Sequence, residues 1–178
     1  LFLNSTDWEL PGWEPGKNCI IDRYSGANKP MDAVNTFQVF DSLWTSGQLS
    51  EADIKKLPDF GIQTVINLAL PTSTNALQNE AELVCGMRMN YFQIPVEWEL
   101  PEVAQFELFA NLMQKLEGSK IWLHCAMNNR VSVFIYLYRK LVMKEDEETA
   151  GYPLKEIWIP DKTWQEFIDE VFATYLNP

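Results

Sequence analysis

The sequence predicts an α/β fold, with a central, largely parallel sheet flanked by helices. Three observations carry that prediction. Short β-branched or aromatic apolar runs at 64–68, 91–96 and 121–124 read as strands. Between and after them lie longer runs whose apolar residues recur every three or four positions, and strands joined through helices pair in parallel. No internal repeat, low-complexity tract or second-domain boundary interrupts the alternation, and 178 residues suffice for one substantial core.

In chain order, residues 1–35 are rich in Pro, Gly, Asn and Trp and have no steady period. They read as an irregular arm packed through Trp8, Trp13 and Tyr24 on a single α/β domain at 36–178. The runs 37–40 and 43–45 flank a turn at Asp41 and Ser42 and predict a short hairpin. Ser50 with Asp53 three residues on is a capping-box start for a helix that turns Ile54 and Leu57 inward. Pro58 ends or bends that helix and Gly61 closes it. A buried strand at 64–68, a polar loop at 71–75, a helix at 76–85 closed by Gly86, and a strand at 91–96 follow. Cys85, at the end of that helix, reads as a small buried hydrophobe. Pro101 opens a helix whose apolar face is Val103, Phe106, Phe109, Met113 and Leu116, and Gly118 stops it. After the strand at 121–124 an apolar helix runs to about Met143, and 144–149 is an acidic surface segment. Trp164, Phe167, Ile168, Val171, Phe172 and Tyr175 mark a last amphipathic helix.

Composition narrows the function classes. A net charge of −11 argues against nucleic acid and against anionic membrane surfaces as partners. Any anion site must therefore be a local exception to the global field. No run approaches the ~18 apolar residues of a membrane span. Three cysteines, at 19, 85 and 125, lack metal-ligand spacing, and a single histidine removes most zinc sites, so neither metal nor cofactor is implied. An odd cysteine count of this kind is not a disulfide framework, which favours a cytoplasmic setting. A chain that starts at Leu1 rather than Met leaves export open. Oligomeric state is not encoded in any pattern of the chain.

The chemistry concentrates between positions 121 and 132. Cys125 falls between a strand end and a helix N-terminus, where unpaired N–H groups and the helix dipole stabilise a thiolate and attract an anion. In open α/β sheets, sites form beyond the carboxyl ends of the strands, and Cys125 sits at such an end. Arg130 supplies a planar cation whose fork suits an oxyanion. Placed at the start of a helix it opposes the dipole, a cost that a bound anion would offset. Between the two lie Ala126, Met127, Asn128 and Asn129. An anion nest needs backbone N–H groups turned inward, and without glycine here Asn128 and Asn129 are the residues best suited to a left-handed turn. Their side chains could also donate to the anion. Val131 and Ser132 complete the loop, and a Ser inside a helix bonds most simply back to a carbonyl.

His124, Cys125 and Arg130 together resemble the signature loop of the cysteine-dependent protein tyrosine phosphatase superfamily. The flanking text, from Ser46, Gly47 and Gln48 to Leu123, looks most like a bacterial phosphatase-like family that also occurs fused to β-lactamase-type hydrolases. The resemblance spans roughly residues 36–143 and implies the protein tyrosine phosphatase fold. It also implies that Cys125 is a nucleophile, that Arg130 clamps the substrate oxyanion and that His124 helps keep the thiol ionised; a core histidine is the plain alternative for His124. Three departures stand out. Four residues separate Cys125 from Arg130 where the superfamily usually has five, and Ser132 lies two places after Arg130 rather than one. The superfamily's general-acid Asp is also missing from the matching segment, where Glu97 and Glu99 are the available carboxylates.

Three readings follow. The first is a phosphatase acting on a small oxyanion or phosphorylated substrate through a phosphocysteine at Cys125. The second is a rhodanese-like sulfurtransferase carrying a persulfide on Cys125, which suits a short loop and needs no acid. The third is a non-catalytic module that only binds oxyanions.

Overall fold

The computed structural model describes residues 31–176. Trp8, Trp13, Cys19, Tyr24 and most of the expected N-terminal arm lie outside the described residues.

Among the described residues five strands form one sheet in the order β1-β2-β5-β3-β4. Strands β1 (Phe37–Phe40) and β2 (Leu43–Ser46) make the expected hairpin and pair antiparallel. Strand β5 (Ile121–His124) pairs in parallel with β2 on one side and β3 (Thr64–Asn67) on the other. Strand β4 (Asn90–Gln93) closes the far edge, parallel to β3. The sheet is thus parallel apart from one edge hairpin. Strand β4 ends three residues short of the expected 91–96 strand, yet Ile94 N–H and Val96 N–H still bond to the carbonyls of Asn67 and Leu68. Pro95, between them, has no N–H to continue the ladder.

Side-chain alternation along β5 divides the core in two. Ile121 and Leu123 face a large cluster with Phe106, Phe109, Phe134 and Trp164. That cluster is built by α3 (Val103–Lys115), α4 (Asn129–Leu141) and α7 (Lys162–Leu176). Trp122 points the other way, stacked against Trp44 with ring centroids 6.4 Å apart, in a smaller cluster with Val65, Ile54 and Leu57. Helix α1 (Glu51–Lys56) and a 3-10 turn at Leu57–Phe60 cover this side. The Ser50–Asp53 capping box is formed, and Gly61 closes the turn at φ 73°, a conformation that favours glycine.

Two expectations need correction. Helix α2 is Glu80–Gly86 and begins four residues late, because 71–79 is used in successive tight turns. Asn75 in that stretch donates its side-chain amide to Ala126 O at 3.0 Å, drawing the backbone toward the Cys125 loop. Cys85 is exposed rather than buried, since α2 turns Val84 inward instead. The acidic segment at 144–149 lies at the surface as expected, and within it Asp146 caps a short helix α5 (Glu147–Ala150), with α6 (Leu154–Ile157) following. Four-residue helices are too brief to show a period in sequence. No helix among the described residues is long and apolar enough to cross a membrane.

Candidate active site

Ser46, His124 and Asn67 stand side by side in the register of β2, β5 and β3, so the chain segments leaving all three strands converge. Cys125 follows His124 directly and is buried, its N–H donating to Ser46 O at 3.3 Å. The loop from Ala126 to Asn129 lies along Gly47, with an antiparallel bridge between Gly47 and Met127. Only glycine fits there: a Cβ at position 47 would come within 2.7 Å of Val34 Cγ2 and 2.9 Å of Ala126 O.

The loop carbonyls are held by the scaffold. Ala126 O accepts from Gln48 N–H at 3.1 Å and from Asn75, and Met127 O accepts from Asn35 Nδ2 at 2.9 Å. In a trans peptide the next N–H points opposite to the carbonyl, so the Met127 N–H is aimed away from the scaffold. Among the described residues nothing accepts from the N–H groups of Met127, Asn129 or Arg130. The last two belong to the first turn of α4, whose leading N–H groups have no intrahelical partner. Asn128 adopts the left-handed conformation expected of the loop, at φ 70°, while Asn129 begins the helix. The Asn128 side chain does not face outward as an anion donor. It is buried and donates to Asn35 O at 2.7 Å and Thr45 Oγ1 at 3.0 Å.

Arg130 is 8% exposed and has no carboxylate partner among the described residues. Its Nη1 donates one long bond, 3.4 Å, to Leu68 O, and its Nε is buried without an acceptor. The guanidinium carbon lies 6.0 Å from the centre of the Trp98 ring. Trp98 in turn packs against Trp158 and Trp164, each with centroids 5.3 Å away. Val131 enters the core, and Ser132 Oγ donates to Asn129 O at 2.7 Å while accepting from Trp158 Nε1 at 3.1 Å. Ser132 thus does bond back to a carbonyl. Glu97 and Glu99 are both exposed. Neither side chain has a hydrogen-bond partner among the described residues, and Trp98 between them is the residue that meets Arg130.

Residues 10–164 match the family model described as "DSP-PTPase phosphatase fused to NAD+ Kinase". The chain belongs to this phosphatase family. Among solved structures it is similar to a DUF442 protein from Shewanella putrefaciens CN-32, described as a phosphatase. That match has 31% identity and TM-score 0.72, covering 81% of this chain and 95% of the other. P. aeruginosa TpbA matches at 15% identity and TM-score 0.62, over 81% of this chain and 92% of its own. PTPMT1, solved with PI(5)P, matches at 16% identity and TM-score 0.62, over 78% and 97%. These two more distant matches establish the protein tyrosine phosphatase fold. No curated protein matches.

The sequence did not single out Glu80, which the DSP-PTPase fold brings to the loop. Because His124 follows Trp122 by two residues, its ring points to the same side of the sheet, where α2 begins. His124 Nε2 lies 2.9 Å from Glu80 Oε1, near enough for an ion pair though off the line of a well-formed hydrogen bond. Its Nδ1 sits 3.4 Å from the Cys125 carbonyl oxygen. Glu80 is 4% exposed and also accepts from Gln48 Nε2 at 2.8 Å, Asn67 Nδ2 at 2.8 Å and Tyr91 Oη at 2.9 Å. Burial alone would raise its carboxyl pKa, but His124, Tyr91 and Gln48 together hold it below the ordinary 4.5. The same burial and the Glu80 charge push the Tyr91 phenol well up.

A buried carboxylate with its pKa lowered on folding contributes stability that is present above the unfolded value and lost as pH falls through the folded one. Glu80 should therefore contribute to acid unfolding below about pH 4.5. Glu80→Gln replaces one of two acceptor oxygens with a donor facing other donors, so it should cost about 2–4 kcal/mol at pH 7. Urea titrations at pH 7 and pH 4 check this. The parent should lose more stability between the two than the variant, and equal losses would remove Glu80 from the acid transition.

Proposed function

We propose that this chain hydrolyses phosphate monoesters through a phosphocysteine on Cys125. The observation that carries the reading is Arg130: a buried guanidinium, one nitrogen unmatched, with no carboxylate among the described residues and in the first turn of a helix. Burial without a counter-ion and opposition to the helix dipole are both unfavourable. An oxyanion held between the guanidinium fork and the free N–H groups of the loop would reverse both. TpbA has been solved with pTyr and PTPMT1 with PI(5)P, which supports a phosphorylated substrate here.

In the first step the Cys125 sulfur attacks phosphorus and the bond to the ester oxygen breaks. The leaving oxygen takes a proton from Glu97, Glu99 or, for a stabilised aryl oxide, water. In the second step water attacks the phosphocysteine, releasing inorganic phosphate and restoring the thiolate. Arg130 and the loop amides hold the non-bridging oxygens in both steps. His124, carried by Glu80, sits against the Cys125 backbone and sets how the loop leaves β5.

One observation favours the sulfurtransferase reading. Glu97 and Glu99 are exposed and unanchored, as they would be if the reaction needed no acid. Both chemistries can be measured on one preparation. The parent should hydrolyse an activated aryl phosphate and transfer little sulfur from thiosulfate to cyanide. Glu97→Gln and Glu99→Gln should change aryl phosphate turnover less than about threefold, because that leaving group needs no proton, and should slow alkyl phosphates more. Sulfur transfer without hydrolysis would overturn the phosphatase reading in favour of a persulfide. Silence in both assays with phosphate still bound would leave an oxyanion-binding module.

A further inference from the structure

We propose that Asn35 and Asn128 form a reciprocal clamp that sets the shape of the Cys125 loop, making the segment ahead of β1 a positioning part of the site. The proposal rests on the reading of that loop as an oxyanion site. Asn128 Nδ2 donates to Asn35 O at 2.7 Å, and Asn35 Nδ2 donates back to Met127 O at 2.9 Å. Both residues adopt positive φ, 51° at Asn35 and 70° at Asn128, and neither is glycine. Glycine would satisfy each backbone at lower cost. What it cannot supply is the side-chain amide, and both amides are engaged in the clamp.

The burial of Asn128 points the same way. Its Oδ1 is buried with no partner, a cost that a residue serving only the turn would not carry. Thr45 Oγ1 receives a second bond from the same Nδ2, so the loop is tied to β2 as well.

The segment on the other side of the clamp is itself anchored. Buried Asp53 accepts from Asp32 N–H at 2.8 Å and Ala33 N–H at 3.0 Å, and Gly47 N–H donates to Val34 O at 2.8 Å. Force therefore passes from the α1 cap through residues 32–35 to the loop. Fixing Met127 O outward fixes the peptide planes on which the inward N–H groups depend. Loss of the clamp should loosen the cradle without touching Cys125 or Arg130.

The test uses Asn128→Gly, Asn35→Gly and the double variant, with inorganic phosphate as the binding probe. Asn128→Gly and Asn35→Gly keep the two left-handed backbones and delete the side-chain amides, and Asn35 is exposed, so its truncation leaves no cavity. Each single variant should bind phosphate about tenfold more weakly, equivalent to ~1.4 kcal/mol. The double variant should be little worse than Asn128→Gly, because that substitution already removes the clamp together with the bond to Thr45. For aryl phosphate hydrolysis KM should rise more than kcat falls, and urea midpoints report folding separately. Parent-like phosphate affinity in folded Asn128→Gly would overturn the clamp and leave Asn128 as a turn residue. Additive losses in the double variant would overturn the coupling. A parent that binds no phosphate would overturn both the clamp and the oxyanion reading beneath it, whereas a parent that binds normally beside unaffected variants overturns the clamp alone.

Discussion

Cys125→Ser should lower aryl phosphate turnover by on the order of 10³-fold or more while leaving phosphate binding near the parent's. A serine hydroxyl is a poor nucleophile without a base to take its proton. The nearest candidate base, His124, has its Nε2 against Glu80 and its Nδ1 beside the Cys125 carbonyl, so neither nitrogen is free to serve. The arginine and the loop amides, to which the proposed mechanism assigns the affinity, are untouched. Cys125 is buried at the edge of the main core, so the serine hydroxyl costs stability on its own account. Cys125→Ala, which buries no hydroxyl, separates that effect from chemistry. Single-turnover kinetics and phosphate titration on both variants decide the matter. Residual turnover within tenfold of the parent in either would exclude Cys125 as the nucleophile.

The central strand, the hairpin and the capped start of α1 were legible because each is encoded within a few adjacent residues. Ile121 to His124 is fully buried and bounded by Gly118 on one side and the loop on the other, and observed and expected limits agree. Segment 76–79 was misread for the opposite reason. Its composition suits a helix, but contacts between Asn75 and a loop fifty residues on take precedence over propensity. Cys85 illustrates a finer limit. Adjacent residues of a helix point about 100° apart, so with Val84 turned inward its neighbour Cys85 faces out.

The candidate site divides along the same line. Cys125, Arg130 and the left-handed turn at Asn128 fall within six consecutive positions, where local rules apply. Glu80, Asn35 and Trp98 reach the loop only through the parallel crossovers, and no spacing in the chain announces them. In sequence Glu80 looks like an ordinary acid within a helix. It is instead the acceptor on which Gln48, Asn67, Tyr91 and His124 converge. In the segment before α3 the expected chemistry drew notice to Glu97 and Glu99, whereas the side chain that meets Arg130 is the tryptophan between them.

Arg130→Lys should weaken phosphate binding by about 10- to 100-fold while leaving the unliganded protein folded. Lysine keeps the charge, but a point charge on a flexible stem cannot present two parallel N–H donors to one oxyanion. It also loses the planar surface that lies over Trp98. Arg130→Met isolates the opposite property. It removes an unpaired, mostly buried cation from the first turn of α4, where the helix dipole already disfavours positive charge. Replacing such a charge by a flexible apolar chain should leave stability unchanged or raise it by about 1 kcal/mol, and should abolish phosphate binding. Calorimetric titration with phosphate, paired with urea unfolding of the same samples, reads both effects. A methionine variant that is markedly less stable would mean that Arg130 serves the fold. A lysine variant with parental affinity would mean that charge alone, and not the guanidinium fork, holds the anion.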